Sequence, residues 1–240
     1  MILKELRREL ARYADKKYRV NAQQFSKGKV KQPWVLRAPI LRKVSGEFFK
    51  RTKNFSKLEI FSLCEELLES GNSEERGVAF DCAYRCKRHY EKSDFRVFES
   101  WLKRYVQGWG SCDDLCTRTF GYFLFQFPEL VSKTERWARS RNSWLRRASA
   151  VVLIYSLRRK QMLPSALKVA EILLQDREDL VQKGYGWMLK EAGNRFPKEV
   201  FEYVMKHKRQ MPRTALRYAI EKLPSDMRQE AMRKEWLKSH

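Results

Sequence analysis

The chain has 240 residues, 43% of them hydrophobic and 13% aromatic, enough for one compact domain or one continuous repeat array without disulfides or metal. Its 51 Lys and Arg outnumber 29 Asp and Glu, a net charge of +22 that repels itself when compacted and so points to a polyanionic partner. No apolar run approaches the ~18 residues of a membrane span, and charged residues follow Met1-Ile2-Leu3 at once, which argues against a secretory leader.

In chain order, residues 1–35 read as an N-terminal helix and a basic connector. Lys27, Lys29 and Lys31 stand among polar residues between Arg19 and Trp34, a pattern that suits a DNA-contacting loop. Apolar residues then recur at helical spacing in Leu58-Phe61-Leu63-Leu67-Leu68 and later in Ala166-Val169-Ala170-Leu173-Leu174. Ser56-Lys57-Leu58-Glu59 reads as a capping box with Phe55 as its staple. Asn72-Ser73-Glu74-Glu75 reads as another, after Gly71 has ended the preceding helix. With ten glycines and no alternating pattern, strands have no support.

Prolines give the period. Phe127-Pro128, Leu163-Pro164, Phe196-Pro197, Met211-Pro212 and Leu223-Pro224 each place a proline after an apolar residue, at the expected first position of a helix, where its missing N–H costs nothing. The first three are 36 and 33 residues apart, about two helices and two turns. A second register agrees: Trp144-Leu145-Arg146-Arg147-Ala148 resembles Leu180-Val181-Gln182-Lys183-Gly184, with Arg147 and Lys183 36 apart and Arg76 about two periods earlier. The expected fold is all-α: a right-handed α-solenoid of HEAT-like helix pairs with a concave basic face. It forms a single domain over 1–240, with the array at 36–224 and a charged helix at 225–240. An ordinary helical bundle is the alternative. In a solenoid the second helices line the hollow, so Arg147 and Lys183 would track a phosphate backbone.

Cys64, Cys82, Cys86, Cys112 and Cys116 are an odd number, which fits a reducing compartment, here the bacterial cytoplasm or nucleoid. Two pairs are spaced i, i+4 and His89 is near by, but a metal site needs four such ligands to converge. Small buried helix residues are the simpler role, so neither metal nor cofactor is expected.

Gly108-Trp109-Gly110-Ser111-Cys112-Asp113-Asp114 is the unusual segment. One reading makes Ser111 a helix cap with both aspartates in the first turn, favoured by the dipole. The other sets Trp109 and Asp113, four apart, on one side of a helix, an aromatic face and a carboxylate in a basic groove, suited to stabilising a developing cation.

These motifs together resemble the DNA alkylation repair glycosylases, the AlkD-like HEAT-repeat enzymes. The family's Trp-x-x-x-Asp matches Trp109 and Asp113. Its Trp-Leu-x-Arg-Ala matches Trp144 to Ala148, with the functional arginine at Arg147. Its Gly-Trp-x-Leu-[Arg/Lys]-Glu matches Gly186 to Glu191, with the second functional tryptophan at Trp187. Leu36-Arg37-Ala38-Pro39-Ile40-Leu41-Arg42-Lys43 resembles its first DNA-facing element, which brings in Pro39 and Arg42. The resemblance covers Leu36 to Pro224. It implies a monomeric, monofunctional glycosylase that excises N3- and N7-alkylated purines from double-stranded DNA. Asp113 would stabilise the oxocarbenium-like sugar, Trp109 and Trp187 would pack against it, and Arg147 would hold a phosphate. Composition and spacing also fit a non-catalytic HEAT-like DNA-binding protein, or a scaffold for an acidic protein partner. Trp101, Trp137 and Trp144 are assigned to packing, and Trp187 at its helical spacing also fits a core.

Overall fold

Helices begin where the sequence sets its caps. A computed structural model describes residues 2–14 and 35–233. The segment from Arg19 to Trp34, read as a DNA-contacting loop, lies outside them, as does the end of the C-terminal charged segment. The described residues are three quarters helical, with no strand among them. It divides into two compact units, Met1–Asp94 and Phe95–His240.

The first unit holds α1 (Ile2–Arg12), α2 (Ala38–Lys50), α3 (Lys57–Glu69) and α4 (Ser73–Arg85). Ser56 and Glu59 form the reciprocal capping box at the start of α3. The Asn72 side chain accepts from the N–H groups of Glu74 and Glu75 to cap α4. Gly71, at φ +70°, supplies the left-handed residue between them. α4 packs against α2 and α3, and Arg7 reaches from α1 to hold Glu75 through two bonds of 3.0 Å.

The second unit runs α5 (Phe95–Tyr105), α6 (Trp109–Asp114), a π-helical turn (Leu115–Thr119), α7 (Phe120–Gln126), α8 (Lys133–Ala138), α9 (Ser143–Val151) and α10 (Ile154–Leu157). It ends with α11 (Leu163–Ile172), α12 (Asp179–Gly193), α13 (Pro197–His207), α14 (Arg213–Ala219) and α15 (Ser225–Met232). The five prolines all stand at helix starts, but not all at the first helical position. Pro128 opens a 3-10 turn, Pro197 opens α13 and Pro164 is second in α11, whereas Pro212 and Pro224 are extended residues just outside α14 and α15. A fixed φ near −65° serves either place.

Packing here follows the repeat. α8 lies on α9, α11 on α12 and α13 on α14, while α9 contacts α12 and α12 contacts α14. Two layers of successive helices result, an arrangement consistent with a HEAT-like stack. Phe95, Phe98, Trp101, Phe120, Phe123 and Trp137 fill the start of this unit, with the Phe95 and Trp137 rings stacked at 5.9 Å. Trp101 and Trp137 are thus core residues, and Trp144 is half-buried. All five cysteines are buried, and no described helix is long and apolar enough to cross a membrane.

Close helix contact depends on particular glycines. A Cβ on Gly186 would stand 2.7 Å from the Tyr218 Cβ and 3.0 Å from the Ala215 carbonyl oxygen, so α12 and α14 meet at the width glycine allows. Gly186→Ala should cost about 1–3 kcal/mol by overpacking, read as a lower urea midpoint at unchanged m-value. A midpoint equal to wild type would show that α14 can yield freely.

Candidate functional site

Asp113 does not sit in the first turn of its helix. Gly108 is the N-cap and α6 begins at Trp109, so Asp113 is in the second turn and no side chain caps the end. Ser111, now third in the helix, donates its hydroxyl to the Gly108 carbonyl at 3.0 Å instead of accepting from the backbone. Stabilisation by the helix dipole, which fades within one turn, therefore does not account for this carboxylate. Trp109 and Asp113, one turn apart, face the same side. The following π-helical turn, a feature that often marks functional positions, is pinned by Thr117 Oγ1 donating to the Asp113 carbonyl at 2.7 Å.

The partner of Asp113 comes from α9. Arg147 Nε donates to Oδ1 at 2.9 Å and Nη2 to Oδ2 at 2.8 Å, a bidentate pair, while Nη1 donates to the Leu180 carbonyl of α12. Three helices thus meet on one guanidinium. Gly184 lies against it, since a Cβ there would be 3.1 Å from Arg147 Cγ. Arg147 is 5% exposed and the Asp113 side chain 18%. Burial raises the Asp113 carboxyl above its ordinary value, and the Arg147 hydrogen bonds and charge oppose that rise. The same burial works against the charge on Arg147, but bonding to Asp113 prevails and its pKa is raised.

Around this pair opens a hollow of about 360 Å³. Trp109, the most exposed tryptophan among the described residues at 54%, forms one side. Trp187, Tyr218, Leu180, Lys183 and Lys190 complete the lining. Both lysines carry counter-ions: Lys183 binds Asp179 at 2.7 Å and Lys190 binds Glu221 at 3.1 Å. The Trp187 indole N–H donates to Glu191 Oε1 at 3.0 Å. Glu191 is in turn clamped by Arg158 through two bonds of 3.0 and 2.8 Å, and that contact holds its carboxyl below the usual range.

Of the sequence-derived site residues, Trp109, Asp113, Arg147, Lys183 and Trp187 line this one hollow. Trp187 is half-buried at its edge, not a core residue. Arg147 spends its guanidinium on Asp113 and Leu180, whereas the resemblance gives it to a phosphate. Pro39 and Arg42 are exposed on α2, in the first unit. Sequence reasoning missed Tyr218, Lys190 and the role of Glu191. It also missed that Arg146, adjacent to Arg147, is tied to Asp176 at 2.5 Å and so belongs to the scaffold.

The chain matches the family model described as DNA alkylation repair enzyme over residues 6–223. It belongs to the DNA alkylation repair enzyme family. A solved structure, described as a predicted DNA alkylation repair enzyme from Enterococcus faecalis, superposes with a TM-score of 0.77 at 17% identity. The match covers 88% of this chain and 97% of that one, and at such identity it shows a shared fold. No curated protein matches the sequence. Membership places the chain among enzymes that act in repair of alkylated DNA.

Within that family frame, the chain of contacts from Arg158 through Glu191 to Trp187 should be visible spectroscopically. Glu191→Ala should shift the tryptophan emission, while Glu191→Gln, which keeps an acceptor for the indole, should leave it near wild type. The Glu191→Ala difference should vanish in a Trp187→Phe background. A difference that survives there would mean that Glu191 does not set the environment of Trp187.

Proposed function

We propose that this protein is a monofunctional DNA glycosylase that excises cationic N3- and N7-alkylated purines from duplex DNA, with Asp113 as its central catalytic group. The observation that supports it is one carboxylate in a hollow that two indoles also line and whose other charged side chains are cations. An alkylated purine of this kind already bears positive charge. As the C1′–N9 bond breaks, its electron pair leaves with the base and quenches that charge, so no proton need reach the leaving group. Positive charge appears instead on the sugar. Asp113 stabilises it from a partly dry site, where fixed charge is worth more than in water, and orients the water that adds to C1′. That water loses its proton to solvent through the open mouth of the hollow. Trp109 and Trp187 offer their ring faces to the same cation. Arg147 keeps Asp113 ionised and aimed.

One observation favours a second reading. The Asp113–Arg147 pair also ties α6 to α9 and α12, and a structural tie of this kind would suit a DNA-binding protein without chemistry. The two readings part on base release. Wild-type protein should free 7-methylguanine from methylated duplex DNA, and Asp113→Asn should slow single-turnover release by roughly a hundredfold or more at little cost in affinity for undamaged duplex. No covalent adduct should be trapped with borohydride, because no lysine nucleophile is used. An equally active Asp113→Asn protein would sink the assignment, and absence of release by wild type would leave the binding reading.

The pH profile follows from burial. A raised carboxyl takes up its proton at higher pH than an ordinary aspartate, so release should be flat at neutral pH and fall as pH drops through that raised value. The residual rate of Asp113→Asn should lack this limb. A limb retained in the variant would assign it to another group.

A further inference from the structure

Arg147, Lys183 and Arg217 are each the fifth residue of their helices, α9, α12 and α14, at separations of 36 and 34 residues. These helices pack in that order, so the cation recurs along the repeat. What differs is its counter-charge. Arg147 is neutralised by Asp113 and Lys183 by Asp179. No carboxylate of the described residues forms an ion pair with Arg217, or with Arg213 one turn before it. Both side chains are exposed.

Together they line a second open hollow of about 440 Å³ with Thr214, Glu221 and Tyr218. Tyr218 also lines the Asp113 hollow, so the two adjoin across one ring. The acid in the second hollow, Glu221, is already bound by Lys190. The net field there is that of two uncompensated guanidiniums, side by side at i, i+4 with ~5–6 Å between their Cβ atoms.

We infer that Arg213 and Arg217 form a phosphate-binding site for the DNA strand whose sugar is presented to Asp113, a site separate from the reacting centre. A strand carries one charge per ~3.4 Å of helix axis, so two guanidiniums at this spacing meet neighbouring phosphates. Forked donors suit phosphate oxygens better than an ammonium does. Arg147, committed to Asp113, is freed from that duty. The inference takes its ligand from the DNA reading of the site above, and does not depend on the excision chemistry.

The test is binding of an undamaged, fluorescein-labelled duplex by the full chain across a salt series. Each phosphate contact contributes about 0.9 to the slope of log K against log salt. Arg213→Gln with Arg217→Gln should therefore flatten the slope by about 1.8, with binding at low salt weakened about tenfold or more. Arg195→Gln with Lys198→Gln removes the same charge from exposed positions at the α12–α13 turn and should leave the slope near wild type. Equal slopes for the two double variants would overturn the inference, since net charge alone would then explain binding. Base release by wild type, assayed in parallel, reports on the glycosylase reading separately. A flattened slope with no release would retain the phosphate site and remove the enzyme.

Discussion

An aspartate and an arginine 34 residues apart share two hydrogen bonds near the floor of an aromatic hollow, and the site is built outward from that pair. Taking both charges out of water is expensive, and such a pair is often no more stable than apolar residues of the same size. Its value lies in placement. Burial pushes the carboxylate towards its neutral form, and the guanidinium opposes that push while fixing where the carboxylate points. The guanidinium, for its part, is fixed by three helices and by the missing side chain of Gly184.

Charge in the second unit is apportioned with the same logic. Arg146, Arg147, Arg158 and Lys190 each hold a carboxylate from another segment, and through those carboxylates they set a packing contact, an indole or Asp113 itself, while Lys183 is paired within its own helix with Asp179. A large formal charge therefore overstates what the hollow offers a polyanion. Cations without such ties are the ones that can exchange water and counter-ions for phosphate at little internal cost.

Much of this was legible in the sequence, because it is written in local signals. Ser56 with Glu59, and Asn72 before its acidic pair, mark helix starts by chemistry that acts over three residues. Proline marks them too, although fixed φ alone does not separate Pro197 inside its helix from Pro212 and Pro224 just outside theirs. Trp109 and Asp113 could be paired because helical spacing is local. The first turn was misplaced because a serine and an aspartate look like a cap wherever they fall, and only the backbone shows Gly108 in that position. Nothing in the spacing joins Asp113 to Arg147, or Glu191 to Arg158, since those distances are set by how repeats stack. Tyr218 and Arg217 escaped for the same reason. Their helix is short, and its register against α12 depends on Gly186 meeting Ala215.

Whether Arg147 acts through Asp113 or touches DNA itself is decided by a double-mutant cycle on single-turnover base release, with Asp113→Asn, Arg147→Met and both together. If the arginine serves only to hold and ionise the carboxylate, the double variant should be no slower than Asp113→Asn alone. Losses that multiply would contradict this account and give the guanidinium a separate contact with the substrate.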